Sequence, residues 1–211
     1  ALVYLSLNNQ RSAVDELENA QSLDPTLVPA SLAAALADIR VNNLDGAVEK
    51  VTRAPLQDAV YRKNLSPLTS NWRPPQDVAR LKAEMGTALS NDVRYSVRLK
   101  EILAILDWYG EASTAEVGLR EAVKEGGTVG TSAALAQELF ATSRPGEALR
   151  FVEEVLNTEA DEPIFLAMRA YAQAVTGDMG AERTLGRALQ LEPMNPVILH
   201  WAATTYETLG K

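Results

Sequence analysis

The chain has 211 residues, of which 46% are apolar and 23% charged, and its 20 basic and 28 acidic side chains leave a formal charge of −8 at pH 7. These proportions are typical of a globular protein with one or two domains or one elongated repeat array, and no stretch reaches the ~20 apolar residues of a membrane-spanning helix. The negative charge disfavours nucleic-acid partners, and the absence of cysteine with a single histidine, His200, excludes thiolate metal sites, thiol catalysis and any site that needs two imidazoles.

An apolar pattern recurs along the chain at a nearly constant interval of about 34 residues. Each occurrence has an alanine, or once a leucine, then a larger apolar residue four positions later and another alanine or valine three positions after that. These spacings put the three side chains on one face of an α-helix, and a small residue there lets a neighbouring helix approach closely. We therefore predict one packed helix in each unit. In chain order the sets are Ala13, Leu17, Ala20; Ala47, Val51, Ala54; Leu81, Met85, Ala88; Ala115, Leu119, Ala122; Ala148, Val152, Val155; and Ala181, Leu185, Ala188.

A second amphipathic segment precedes most of these helices across a polar turn. For example, SLAAALADIRVNN precedes LDGAVEKVTRA, and SAALAQELFATSR precedes PGEALRFVEEVL. The turns contain residue types that end one helix and cap the next. These residues are Asn42 and Asn43, Gly110, Pro145 and Gly146, and Gly177 and Asp178. The unit is therefore predicted to be a helical hairpin, and the fold to be all-α, because no useful length shows the alternation of β-branched residues that strands need.

The third unit, about residues 55–91, departs from this pattern. NLSPLTSNWRPP places Pro67, Pro74 and Pro75 where a first helix should run. An interior proline costs a helix about 3 kcal/mol, so we expect that helix to be short or broken, with Pro74 and Pro75 at the start of the second helix. The GGTVG stretch at 126–130 is interpreted as a helix end and a turn, because a phosphate-binding loop would need a preceding strand and a following lysine.

With this period and pattern, the chain resembles the tetratricopeptide repeat family along essentially its whole length. The residues that carry the likeness are Tyr4, Ala13, Leu17, Ala20 and Pro25, the segment GDMGAERTLGRALQLEP, and Ala203, Tyr206 and Gly210 in the last segment. The resemblance implies a single array over residues 1–211, with about six hairpins in a right-handed α-α superhelix, or solenoid. Because both ends fall inside a unit, we expect a fragment of a longer protein.

The resemblance also implies a function, because proteins of this family usually hold a partner in the concave groove lined by their first helices. We expect a non-catalytic scaffold that binds a partner protein or peptide and needs neither cofactor nor metal. The family's clamp for acidic C-terminal peptides is not matched, since Leu36, Ile39 and Arg40 stand near the place of its asparagine. The groove positions, carried over by register, are Leu32, Leu36, Ile39, Arg40, Lys63, Arg73, Lys100, Asp107, Trp108, Gln137 and Phe140.

Basic residues are concentrated in the middle of the chain. Residues 53–100 contain nine basic and four acidic side chains, whereas the segments before and after it are acidic. Two interpretations remain open: the basic side chains receive an acidic partner segment beside Trp108, or they only offset the acidic neighbouring repeats. We call these residues the basic block, and they are Arg53, Arg62, Lys63, Arg73, Arg80, Lys82, Arg94, Arg98 and Lys100.

Two classes of function fit these observations. The first is a scaffold within a bacterial envelope, secretion or polysaccharide-export assembly, and the alternative is a regulatory or substrate-recruiting repeat region of a larger enzyme. His200 is interpreted as a partly exposed helix residue, because no nucleophile or second ligand accompanies it. A cysteine-free chain is compatible with both periplasm and cytoplasm, so the compartment stays open. The full-length gene would distinguish the two classes.

Overall fold

The computed structural model describes residues 10–24, 26–58 and 74–211. Within these ranges every regular element is a helix and there is no strand, which confirms the all-α class. No helix there is long and apolar enough to cross a bilayer. The α-helices of the described residues are α1 (Gln10–Leu23), α2 (Val28–Arg40), α3 (Leu44–Gln57), α4 (Pro74–Ser90), α5 (Ser96–Tyr109), α6 (Ala115–Lys124), α7 (Val129–Ala141), α8 (Pro145–Thr158), α9 (Pro163–Thr176), α10 (Ala181–Leu191) and α11 (Pro196–Thr208).

The six repeated apolar sets lie on α1, α3, α4, α6, α8 and α10, which we call the second helices. The first and central residue of every set is buried, with at most 3% of its surface exposed. The third residue is buried in α3, α6 and α10 and half-buried at Ala20, Ala88 and Val155. The packed helix predicted for each unit is therefore confirmed, with its buried face where the spacing placed it.

The other five helices, α2, α5, α7, α9 and α11, are called the first helices, and all of them end in the same way. A residue with positive φ follows each helix, and the next backbone N–H donates to the carbonyl five residues before it at 2.8–2.9 Å. This left-handed cap satisfies carbonyl groups that a helix end leaves without partners. The capping residues are Asn42, Glu111, Ser143, Gly177 and Gly210, with φ between 56° and 77°.

Two of these caps differ from the turn residues that the sequence suggested. Glu111 and Ser143 take the left-handed conformation, whereas the nearby Gly110 has a φ of −80° and Gly146 lies inside α8. The place of the cap is set by the end of the preceding helix, so the left-handed residue need not be the glycine. Asn43 behaves as expected, because its side chain accepts a hydrogen bond from the Gly46 N–H at the start of α3.

Contacts divide the described chain into two compact units. In the first, residues 10–58 and 74–134, α2 packs against α1, α3 and α4, and α5 packs against α3, α4 and α6. In the second, residues 135–211, α9 packs against α8, α10 and α11. The predicted hairpin pairs α2–α3, α5–α6 and α9–α10 thus pack against each other, while the single array over residues 1–211 stays a prediction.

The irregular third repeat is described only in part. Helix α4 begins at Pro74, as predicted, because a proline at the first helical position gives up an N–H that has no intrahelical partner. Helix α3 runs through Pro55 to Gln57. The expected break of the first helix, including Pro67, falls on residues 59–73, which lie outside the described residues.

The GGTVG stretch forms a helix end and a turn, as predicted. Gly126 has a φ of 87°, and the Gly127 N–H donates to the Ala122 carbonyl at 2.8 Å to close α6. Gly130 has a different role, because it lies in α7 directly against the backbone of α3. A Cβ atom at Gly130 would lie 1.7 Å from the Thr52 carbonyl oxygen, so only glycine permits this approach of the two helices.

We predict that Gly130→Ala lowers the free energy of unfolding by about 1–3 kcal/mol or more, because the methyl group must push α7 away from α3. Gly186→Ala is the matched control, since a Cβ there meets nothing within 4 Å. That change should raise stability by about 0.5–1 kcal/mol, because alanine is the better helix former. Denaturant unfolding followed by circular dichroism measures both, and effects of the same sign would contradict the contact.

We also predict that Ser143→Gly stabilises the chain by about 0.5–1 kcal/mol. Ser143 has a φ of 59°, which strains any residue with a Cβ, and glycine removes that strain. We expect the strain removed to exceed the cost of the more flexible unfolded chain. Glu154→Gly, on the exposed side of α8, should instead destabilise by about 0.5–1 kcal/mol. A lower thermal midpoint for Ser143→Gly would show that the cap does not form in solution.

Candidate partner-binding site

Three of the predicted groove residues lie in the interior of the first unit. Leu32, Leu36 and Trp108 have 1%, 6% and 0% of their surface exposed, and the Trp108 ring lies 4.7 Å from that of Tyr109. These side chains face the packed core, so a partner cannot contact them, and we remove them from the candidate surface. Trp108 therefore cannot contact an acidic partner segment, contrary to the expectation from the sequence. Lys63 and Arg73 lie outside the described residues.

Ile39 and Arg40, at the end of α2, lie beside an open cavity of about 450 Å³ in the first unit. Ile39 lines it together with residues of α4 and Asn91 just beyond that helix. Glu84 of α4 also lines it and accepts hydrogen bonds from Arg40 at 3.2 Å and from Arg80 at 3.0 Å. Burial alone would raise the pKa of Glu84, but the two guanidinium groups outweigh it and lower that pKa. One carboxylate beside the cavity thus accepts hydrogen bonds from two guanidinium groups.

The described members of the basic block all form ion pairs within the chain. Four of these pairs join residues on the same helix or turn. Lys82 of α4 instead pairs with Asp107 of α5, and Lys100 of α5 pairs with Glu125 at the C-terminal end of α6. Asp107, another predicted groove residue, is thus the partner of Lys82. This arrangement favours the interpretation that the block offsets acidic neighbours. The pairs are Arg53–Glu49, Arg80–Glu84, Lys82–Asp107, Arg94–Asp92, Arg98–Glu101 and Lys100–Glu125.

The second unit places three aromatic rings together, one from each of its first helices. Phe140 of α7, Tyr171 of α9 and Trp201 of α11 have ring centroids 5.3–5.4 Å apart, at the tilted or edge-on angles that aromatic pairs prefer. Phe140 and Tyr171 are half-buried, whereas Trp201 is 8% exposed. We call these three residues the aromatic cluster. The rings of Phe140 and Tyr171 are partly exposed, and both pack against the buried Trp201.

The sequence identified only one member of the aromatic cluster. Phe140 was a predicted groove residue, as was the half-buried Gln137 on the same helix. Tyr171 lies one repeat period after the predicted Gln137, so the repeat spacing alone could have predicted Tyr171 as a groove residue. Trp201 has no such signal, because it occupies a different position in its repeat. His200 is half-buried beside it, with a ring distance of 6.3 Å, which agrees with the partly exposed helix residue expected.

A buried carboxylate holds the start of α7 in the first unit. Glu101 of α5 is 3% exposed, and it accepts hydrogen bonds from the Thr128 N–H at 2.7 Å, from the hydroxyls of Thr128 and Thr131, and from Arg98 at 2.7 Å. Burial alone would raise the pKa of Glu101, but these donors outweigh it and hold that pKa below its ordinary value of 4.5.

This contact also decides the chemistry of the GGTVG turn. The turn leads into α7, where free backbone N–H groups would attract an anion. The Glu101 carboxylate already occupies that position through the Thr128 N–H and the Thr131 hydroxyl. The Glu101 carboxylate therefore stands where a bound anion would be, and the stretch acts as a helix end and a turn, in agreement with the interpretation of the sequence.

In the described ranges, no group of three or more histidine, aspartate or glutamate side chains is placed to hold a metal ion. Comparisons of the chain with protein-family profiles, with curated proteins and with solved structures found no significant match. The candidate site is therefore argued from the described contacts alone, and the aromatic cluster is the surface they favour.

We predict that Glu101→Gln lowers the free energy of unfolding by about 1.5–3 kcal/mol, since the amide cannot accept from all the donors around it. The folded pKa of Glu101 lies below the unfolded one, so its contribution is present above about pH 4.5 and is lost as the pH falls toward the folded pKa. The loss of stability on acidification should therefore be smaller in Glu101→Gln. Glu121→Gln, an exposed change in the same unit, should leave the pH profile of the thermal midpoint unchanged.

Proposed function

We propose that this chain is a non-catalytic binding module of the tetratricopeptide type, a superhelix whose first helices hold a segment of a partner protein. The proposal is supported by hairpins that recur at a nearly constant interval, by second helices with one small-large-small buried pattern, and by five first helices with the same left-handed cap. In such an array each hairpin needs its neighbours to bury its apolar faces, and side chains on one series of helices form a continuous surface.

The aromatic cluster is the observation that carries the binding role. Phe140 and Tyr171 keep part of their rings exposed although they lie in contact with a buried tryptophan. Aromatic residues in such a setting are frequent binding hot spots, because they bring a large contact area with few side-chain torsions to order. We therefore place the partner segment across α7, α9 and α11 in the second unit.

The partner is expected to be recognised mainly by apolar and aromatic contacts. The described residues of the basic block are engaged in ion pairs within the chain, so an acidic segment would have to compete with carboxylates already in place. Exposed charge pairs contribute little to affinity and are screened by salt, whereas buried ring surface is not. The binding free energy should therefore depend only weakly on ionic strength.

We predict that peptides selected from a displayed random library against the whole chain bind through the aromatic cluster. Phe140→Ala and Tyr171→Ala should each weaken these peptides by about tenfold or more, which corresponds to about 1.4 kcal/mol. Phe151→Ala is the matched control, because Phe151 is also half-buried but lies on the second helix α8, and its affinity should change by less than about twofold.

Dissociation constants measured by fluorescence polarisation at low and high salt complete this test, with thermal midpoints to show that each variant is folded. Peptides that bind equally well to Phe140→Ala, Tyr171→Ala and the parent chain would contradict the proposed site. Strong weakening by salt together with loss of binding in Lys100→Glu would favour an acidic partner on the first unit instead.

A further inference from the structure

Arg169 breaks the pattern of the first helices at one repeat position. Eight residues before each left-handed cap, the other four first helices have an apolar residue, whereas α9 has arginine. Three of these apolar residues are buried and the fourth is half-buried, so the position is normally a packed one. A charged side chain there departs from the repeat, and such departures are expected at functional sites. The four apolar residues are Ala34, Leu103, Leu135 and Ala202.

The guanidinium group of Arg169 is half-buried and has few partners. Its Nη2 donates to the hydroxyl of Thr184 on α10 at 3.3 Å, while its enclosed Nε–H has no acceptor among the described residues. Within the described ranges no carboxylate lies at ion-pair distance from Arg169. The other half-buried basic side chains there all have one at that distance. These side chains are Arg40, Lys50, Lys82 and Arg144.

Asp178, in the turn between α9 and α10, does not complete an ion pair with Arg169. Its carboxylate accepts hydrogen bonds from the Gly180 N–H at 2.8 Å and from the Gln173 amide at 2.9 Å. These two bonds are the main reason that the pKa of Asp178 is lowered, and the charges of Arg169 and Arg183 contribute less. Because a cation taken out of water without a counterion costs stability, a bound anion would stabilise the chain.

The open part of the guanidinium group indicates which anion fits. Nη1 has no hydrogen-bond partner in the described part of the chain and is not enclosed, and Nη2 has a second N–H besides the one that Thr184 accepts. A guanidinium group can donate to two oxygen atoms at once, which suits a carboxylate. One guanidinium group balances one negative charge, and the Asp178 carboxylate in the adjoining turn disfavours a doubly charged phosphate.

We propose that Arg169 anchors a second binding site, which takes a carboxylate group. This site is separate from the aromatic cluster, because Arg169 and Tyr171 lie two residues apart on α9 and so point about 200° apart around the helix axis. In agreement with this, Arg169 contacts α10, whereas Tyr171 contacts Phe140 and Trp201. The carboxylate belongs either to an acidic side chain of a protein segment or to a small carboxylic acid.

The first test titrates the whole chain with acetate at pH 7 and constant ionic strength, with chloride and the uncharged acetamide as controls. The readout is the Nε–H resonance of Arg169, identified by its absence in Arg169→Lys. We expect a saturable shift with acetate and none with the controls. No shift with acetate, an equal shift with chloride, which would mean an adventitious ion only, or tighter binding of phosphate would each overturn the proposal.

A blocked Gly-Asp-Gly peptide, titrated in the same way, distinguishes the two sources of the carboxylate. Binding at least as tight as that of acetate would assign the site to an acidic side chain of a protein segment. Weaker binding than that of acetate would assign it to a small carboxylic acid.

A second test measures what the unpaired charge does to stability. Arg169→Met should raise the thermal midpoint by about 2 °C or more and abolish the stabilisation that acetate gives beyond chloride. Arg144→Met should lower the midpoint, since it removes a half-buried arginine that has an ion pair. Arg150→Met, an exposed change in the same unit, and Phe140→Ala should both keep the acetate effect. A midpoint of Arg169→Met below that of the parent chain would show a structural arginine and overturn the proposal.

Discussion

Close approach of helices at alanine and glycine is the constraint on which the structure depends. Each second helix has a buried alanine or leucine at the first position of its repeated pattern, and each first helix has an alanine seven residues before its cap. At Gly118 a Cβ atom would lie only 3.2 Å from that of Ala104, and at Gly130 even a methyl group has no room. The small side chains at these contacts permit a separation of the helices that larger side chains would exclude.

The second helices were the easiest part to predict, because their pattern requires only that apolar residues recur at a fixed spacing. The first helices were harder. Trp108 and Phe140 both stand three residues before their caps, yet Trp108 is buried and Phe140 is half-buried, so repeat position alone does not tell which groove side chains stay exposed. The sequence predicted one member of the aromatic cluster, Phe140. Tyr171 stands at the same repeat position as the predicted Gln137, whereas Trp201 stands at a position that the groove register does not include. Nothing in the sequence predicted the burial of Glu101, because its partners lie 27 and 30 residues away in a turn whose path depends on the fold.

Charge along the sequence gave a different impression from charge in space. Counted in segments, the middle of the chain is strongly basic, which suggested a surface for an acidic partner. In the structure Lys82 and Lys100 each reach a carboxylate 25 residues later on an adjacent element, and Arg40 of α2 reaches Glu84 of α4. The basic side chains are therefore paired with carboxylates both within one helix or turn and on adjacent elements, which totals over sequence segments do not show.

The burial of Trp108 and Trp201 gives each compact unit its own optical probe. Trp108 is completely enclosed in the first unit and Trp201 is nearly so in the second, where its indole N–H has no hydrogen-bond acceptor among the described residues. Indole emission shifts to longer wavelength when the ring meets water. In a chain with Trp72 replaced by phenylalanine, removing one or the other of the two buried tryptophans leaves a reporter for a single unit. The fluorescence of such chains can distinguish one cooperative unfolding event from two, a property that sequence repeats leave open.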